Sequence, residues 1–130
     1  MEALGKAWAP MLLSVLRIMS GLLFLQHGTG KILKFPAGVA PPTFNLNSMP
    51  GYAGIIELVC GILLVLGLFT RPAALIASGT MAVAYFLAHA PQGIFPILNK
   101  GELAALYCFV FLYLAAAGAG PWSIDAMRKK

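Results

Sequence analysis

Five ionisable residues and one amide of this chain lie inside, or at the ends of, long apolar runs: Arg17, His27, Glu57, His89 and Glu102, with Gln26. A charged side chain at bilayer depth costs about 2.5–3.5 kcal/mol on insertion scales, so such groups face a bundle interior or a wet cavity and mark functional sites by default. The densest run is Gln26-His27-Gly28-Thr29-Gly30-Lys31. His27 and Lys31 are four residues apart, on one helical face. An imidazole exchanges protons near neutral pH, and a lysine beside it can hold an anion. The alternative is an interfacial helix end with a snorkelling lysine.

Glu57 is the most telling single position. Gly54, Glu57 and Gly61 share a helical face, which sets the carboxylate in a stripe of small residues where helices approach closely. Its burial requires a cation or hydrogen-bond donors to offset desolvation, and His27, Lys31 and His89 are the candidate partners. The competing reading is a structural ion pair that locks the bundle. Tyr85 and His89, four residues apart, share a face, and Asn99-Lys100-Gly101-Glu102 opens the last apolar run. A glutamate in a first helical turn is also explained by the positive helix end alone. Arg17 is read as structural, reaching towards the helix end where Asp125 can pair with it. His27, Glu57, His89 and Glu102 lack metal-ligand spacing, and the His27–His89 pair has no other haem signature, so no metal or haem is assigned.

These groups need elements to position them, and the composition says which. The chain has 130 residues, 60% hydrophobic and 10% charged, with a mean hydropathy of +0.86. A soluble domain of this size carries roughly 25% charged residues, so lipid is the solvent. Four helices of about 20 residues use ~80 residues and leave one loop of any length. The spacing predicts an all-α integral membrane four-helix bundle in one domain over residues 1–130. Its helices span about 8–33, 51–69, 72–90 and 101–118, with an outer loop over 35–50. Pro72 suits the first position of the third helix. Ser123 caps a short C-terminal helix at the interface, anchored by Trp122. The apolar run after Lys6 is interrupted by Arg17 and followed by no A-x-A site, so the first helix reads as retained.

The net charge of +5 sits singly or at segment ends, with no basic stripe interleaved with aromatics, which argues against nucleic acid. It reads instead as topology. One side of the bundle receives Lys6, Arg71, Arg128, Lys129 and Lys130, and the other Lys31, Lys34 and Lys100, which places both termini in the cytoplasm. His27, Lys31, Glu57, His89 and Glu102 then share the outer half. Cys60 and Cys108 lie in apolar runs without ligand spacing and read as small hydrophobes, a redox pair only if the fold joins them.

The segments LR-x3-GLLFLQHGTGK, GYAGIIELVCGILLVLGLFTRPAA and NKGELAALYCFVFLYLAAAGAGPWSID resemble, in order and over nearly the whole chain, the DoxX family of small four-helix bacterial membrane proteins. The resemblance implies a multi-pass protein of the bacterial cytoplasmic membrane. By matching positions it picks out Arg17, His27, Lys31, Glu57, Arg71, Glu102 and Asp125. Some relatives are subunits of thiosulfate:quinone oxidoreductase, and others carry the name of quinol oxidase subunits.

The chain has no GxGxxG and no cysteine cluster, so a redox role requires a partner protein or a substrate that reduces quinone directly. The leading expectation is a quinone-interacting subunit of a membrane oxidoreductase. His27, Glu57 and His89 take the proton-handling roles, and Gln26, Lys31, Tyr85, Asn99 and Glu102 bind the quinone or an anionic substrate. The competing expectations are a non-catalytic scaffold that recruits redox or stress enzymes, and a proton-coupled carrier of small solutes. The small residues Ala115 to Gly120 permit a homo-oligomer.

Overall fold

A computed structural model describes residues 1–40 and 44–129, and among them there is no β-strand. The chain runs α1 (Glu2–Gly28), a π-helical turn (Thr29–Leu33), α2 (Met49–Leu66), α3 (Thr70–Ala84), a second π-helical turn (Tyr85–His89), a 3-10 turn (Ala90–Gln92), α4 (Pro96–Asn99), α5 (Glu102–Ala117) and α6 (Ile124–Arg128). Three helical stretches, Glu2–Leu33, Met49–Leu66 and Thr70–Gln92, are long and apolar enough to cross a membrane, and Glu102–Ala117 is apolar but shorter. Three to four apolar helices therefore suit a membrane bundle. At 1.5 Å per residue, the 16 residues of α5 rise only about 24 Å, against a hydrocarbon core of ~30 Å.

The boundaries differ from the sequence expectation for local reasons. The first helix begins at Glu2 rather than near residue 8, and it accommodates Pro10 in its interior. The second begins at Met49, with Pro50 in its first turn and the Ser48 hydroxyl accepting from the Gly51 amide. It ends at Leu66, before residue 69, because Gly67 turns left-handed (φ 70°). The third starts at Thr70, so Pro72 is its third residue and not its first; a first-turn proline still forfeits no helical hydrogen bond. Of the 35–50 loop, Pro41, Pro42 and Thr43 lie outside the described residues.

Two helix pairs make the bundle: α1 lies along α2, and α3 lies along α5, with α2 also touching α3. Close approach within the first pair depends on glycine. A Cβ on Gly28 would lie 2.8 Å from the Glu57 carbonyl carbon, and one on Gly61 would lie 2.8 Å from the Leu25 Cα. Within the second pair, Ala73, Ala74, Ala77 and Ser78 are buried, and the Ser78 hydroxyl donates to the Cys108 carbonyl at 2.7 Å. Phe24 packs edge-on to Phe111 (centroids 4.8 Å) and joins the pairs at mid-height. Leu12, Leu23, Ile55, Ile62, Leu75 and Phe109 point outward and are exposed, as lipid contact requires. Cys60 and Cys108 are free thiols, and the neighbour of Cys108 is Ser78.

At the end of the bundle where both chain termini lie, Arg17 is the organising residue. It is 1% exposed, and its guanidinium donates to the Leu64 carbonyl (2.8 Å), the Ala119 carbonyl and the Trp122 carbonyl (2.8 Å). Leu64 is in the last turn of α2, and Ala119 follows the end of α5, so the cation meets carbonyls at or just beyond helix C-termini, where partial negative charge collects. The anticipated Arg17–Asp125 ion pair does not form: among the described residues the only ion pair within 4 Å is elsewhere. Asp125 instead caps α3, accepting from the Phe69 and Thr70 amides at 2.9 Å each, while its own amide donates to the Gly67 carbonyl at 2.9 Å. Backbone carbonyls outcompeted the carboxylate for Arg17 because the carboxylate was already taken by amides.

Partial burial raises the Asp125 carboxyl, but the two amides and the nearby Arg128 charge outweigh it and hold the carboxyl below its ordinary value. The Ser123 hydroxyl accepts from the Ala126 amide and starts α6.

Replacing Arg17 with Met should lower unfolding stability by about 3–5 kcal/mol, because it leaves the Ala119 and Trp122 carbonyls without this donor, while the Leu64 carbonyl keeps the Gly67 amide. Arg17→Lys should recover only part, since one ammonium cannot span acceptors on separate elements. Unfolding in detergent followed by circular dichroism reads both. Asp125→Asn should cost about 1 kcal/mol at neutral pH. Because the folded carboxyl titrates below its unfolded value of about 3.9, its contribution is complete above that pH and disappears as pH falls through the folded value. The gap to Asp125→Asn should therefore hold from neutral pH down to about pH 4 and shrink as pH falls further, and a gap that stays constant down to complete protonation of the carboxyl would refute the capping role.

Candidate functional site

The opposite end of the bundle, beside the long loop, holds a cavity of about 850 Å³ between the two helix pairs. Its walls are mostly aliphatic, and its polar groups come from separate elements: His27 from α1, Lys31 from the first π-helical turn, Glu57 from α2, His89 from the second, and Tyr107 from α5.

The central feature is an ion pair. Lys31 Nζ lies 2.8 Å from Glu57 Oε1. Glu57 is 3% exposed, and its carboxylate would be untenable there without the ammonium. The local chain geometry explains the meeting. Gly54, one turn before Glu57, clears a path for the lysine stem: a Cβ there would be 3.2 Å from both Cβ and Cδ of Lys31. Gly28 lets α1 close onto the backbone of Glu57 and Leu58. Of the three partners considered for Glu57, Lys31 is the one in contact.

His27 makes no side-chain hydrogen bond among the described residues and meets the Tyr107 ring edge-on, with centroids 6.2 Å apart. Tyr107 is buried and stacks on Phe111 at 5.4 Å, so its position is fixed by the aromatic core. On the far wall, His89 Nδ1 is 3.0 Å from the Asn99 carbonyl oxygen. Asn99 is fully buried; its amide nitrogen donates to the Gly93 carbonyl (2.9 Å) and the Tyr85 hydroxyl (3.2 Å), and its Oδ1 accepts from the Gly101 amide (2.8 Å). Gly101 is needed here, since a Cβ would sit 2.6 Å from the Tyr85 ring. Tyr85 and Asn99 thus form a bracket behind His89 and do not border the cavity.

The structure brings His27, Lys31, Glu57 and His89 together at the cavity, and it leaves Gln26 and Glu102 out as well as Tyr85 and Asn99. Gln26 is exposed and makes no side-chain hydrogen bond, because adjacent helical residues point about 100° apart and His27 takes the inward direction. Glu102 is exposed at the start of α5 and touches no polar partner among the described residues. Lys100, one of the basic residues that the sequence reading set on this side, also borders the cavity, as do Tyr52, Thr80 and Tyr107, which that reading passed over. A signal for Tyr107 existed, since a tyrosine hydroxyl in an apolar run needs a partner or a cavity. Among the described residues no group of three or more His, Cys, Asp or Glu side chains can hold a metal ion.

Chemically, the cavity offers an apolar slot, one fixed ammonium–carboxylate pair, a second ammonium (Lys100), two imidazoles and two phenols (Tyr52 and Tyr107). That set can bind an amphiphile with a polar head, donate hydrogen bonds to carbonyl oxygens and relay protons.

Comparison with known proteins places this architecture. The DoxX family model matches residues 12–90. An uncharacterized protein of Haemophilus influenzae is 47% identical over 122 residues, covering 91% of each chain. An uncharacterized membrane protein of Mycobacterium tuberculosis, Rv3486, is 29% identical over 133 residues, covering 88% of this chain and 80% of its own. The inner membrane protein YqjF of Escherichia coli is 30% identical over 124 residues, covering 89% of this chain and 91% of its own. No solved structure matches. With the family match spanning more than half of the sequence, and with its apolar helices, the chain is a membrane protein of the DoxX family.

Proposed function

We propose that the protein binds a quinone in the cavity at the loop end of the bundle and acts as the quinone-interacting subunit of a membrane redox system. The observation that carries this reading is the Lys31–Glu57 pair, held at 2.8 Å in the wall of an otherwise aliphatic cavity of about 850 Å³. A quinone has a planar ring with carbonyls on opposite sides and an apolar tail. The aliphatic walls suit the ring and tail, and the ammonium of Lys31 suits one carbonyl oxygen. His27, His89 or Tyr107 can donate to the other. Reduction to quinol takes up two electrons and two protons. The imidazoles near the cavity mouth suit the proton half, with Glu57 holding Lys31 in place. In this reading the electrons come from a partner subunit or a reducing substrate, since the sequence has neither a GxGxxG nor a cysteine cluster.

This reading includes a topology. The lysine and arginine bias, five residues against three, sets both termini in the cytoplasm and the cavity in the outer leaflet of the bacterial inner membrane. The Escherichia coli relative, an inner membrane protein by name, supports that membrane. The short helix α6 (Ile124–Arg128), with Trp122 half exposed beside it, suits the inner interface.

Two measurements test the reading. In lipid nanodiscs, wild type should bind a short-tailed ubiquinone saturably. Glu57→Gln and His27→Ala should each weaken binding about tenfold or more, the effect of losing one hydrogen bond that involves a charged or buried group. The His27 variant leaves the ion pair intact, so it separates lost binding from lost packing. Absence of saturable wild-type binding sinks the proposal. For topology, a single cysteine placed at Glu2 or Lys129, in a background without Cys60 and Cys108, should react with a membrane-impermeant maleimide only after the cells are opened. Labelling of intact spheroplasts would reverse the orientation.

A further inference from the structure

A second cavity, of about 630 Å³, lies at the end of the bundle where the termini meet, bounded by the α2–α3 turn, the end of α5 and α6. Three cations border it, Arg71, Arg128 and Lys129, against a single carboxylate, Asp125. That carboxylate is occupied, one oxygen on the Phe69 amide and the other on the Thr70 amide. The cations are not. Arg71 spends Nη1 on the Ala115 and Ala116 carbonyls, which pins the guanidinium across the end of α5 and leaves Nε and Nη2 without a partner among the described residues. Arg128 lies over the Phe69 ring at 5.0 Å, a cation–π contact that positions its plane and leaves its N–H edges available. Lys129 enters no ion pair among the described residues.

A third observation comes from the cavity floor. Thr70 lines the cavity and is fully buried, and its hydroxyl faces the Asp125 carboxylate, which keeps that carboxylate turned away from the cations. The remaining wall is apolar, formed by Phe69, Pro72, Ala117 and Pro121. Exposed Leu66, Leu75 and Ile76 continue the apolar surface away from this end along α2 and α3.

We propose that this cleft binds the phosphate-bearing headgroup of an anionic phospholipid. Arg71 and Arg128 donate to the phosphate oxygens, and Lys129 adds charge. Guanidinium groups match phosphate geometry with paired N–H donors, and basic pockets between helix ends are where anionic headgroups bind membrane proteins. A free phosphate has the same charge chemistry but no use for the apolar wall or its continuation onto the lipid-facing helices, which favours the lipid. Because the cleft lies at the opposite end from Lys31 and Glu57, the inference stands whether or not quinone binds there.

The test uses the full chain in detergent, with native mass spectrometry of bound phosphatidylglycerol and phosphatidylcholine carrying identical acyl chains. Wild type should retain phosphatidylglycerol at least about fivefold better, the effect of one basic residue at a membrane surface. The double variant Arg128→Gln/Lys129→Gln keeps the Arg71 contacts and the Asp125 cap, and it should bring the two lipids close to parity. Equal retention by wild type, or an unchanged preference in the double variant, would overturn the proposal. A competition arm separates the sources: inorganic phosphate that displaces phosphatidylglycerol while sodium chloride of equal ionic strength does not would make this a free-phosphate site and overturn the lipid assignment. Displacement by neither at moderate ionic strength supports it.

Discussion

A guanidinium buried within a lipid-facing bundle has to find acceptors, and the carbonyls at helix C-termini have to find donors. Arg17 answers both needs at once, with its hydrogen bonds to the Leu64, Ala119 and Trp122 carbonyls. The consequence reaches well beyond that end of the molecule. By tying one level of α1 to the last turn of α2 and to the chain just past α5, the contact sets the height of α1 against its neighbours. His27 is ten residues further along α1, about 15 Å up the same rigid rod, and Lys31 is one turn beyond it. Where those two side chains emerge is therefore decided partly by an arginine that never touches them. Gly67 supports the arrangement, since a Cβ there would lie 3.0 Å from the Arg17 Cζ and run into Ser123.

The two ends of the bundle treat charge in different ways. Around Arg17 the polar groups are satisfied by backbone, and Asp125 is consumed in capping α3. This is architecture. At the loop end the charges meet each other, in a pair that borders a cavity and is only partly shielded, with Lys31 22% exposed and Glu57 4% by side chain. An ion pair taken out of water gains little net stability, because desolvation offsets most of the attraction. The pair's place beside an amphiphile-sized cavity is what the proposed binding role rests on.

The cavity itself follows from how the helices are paired. Glycines draw α1 onto α2, and alanines draw α3 onto α5, while contact between α1 and α5 is slight. The aromatic cluster of Phe24, Tyr107 and Phe111 closes the gap between the pairs at mid-height. Above that plug the pairs diverge, and the second π-helical turn carries His89 onto the Asn99 bracket at the rim. The bulky plug in the middle thus separates this cavity from the cleft at the end where the termini lie.

Much of this was legible in the sequence, and the failures share a cause. The apolar runs, the glycine stripe around Glu57, the shared face of His27 and Lys31, and the Ser123 cap are consequences of composition and of the 3.6-residue period, which local chemistry dictates. The same period, applied to Gln26, would have turned it away from His27. Sequence reasoning also sought an opposite charge for Arg17 and found Asp125, because backbone carbonyls are present at every residue and carry no signature. Only the packed bundle could select three of them, by placing helix ends around one guanidinium. Likewise Glu57 had three chemically equivalent partners in the sequence, and the choice of Lys31 fell to the distance between α1 and α2, which Gly28 and Gly54 set. The sequence by itself determined which groups must avoid lipid; the tertiary structure decided which of them meet, because that depends on helix height and rotation that no single segment encodes.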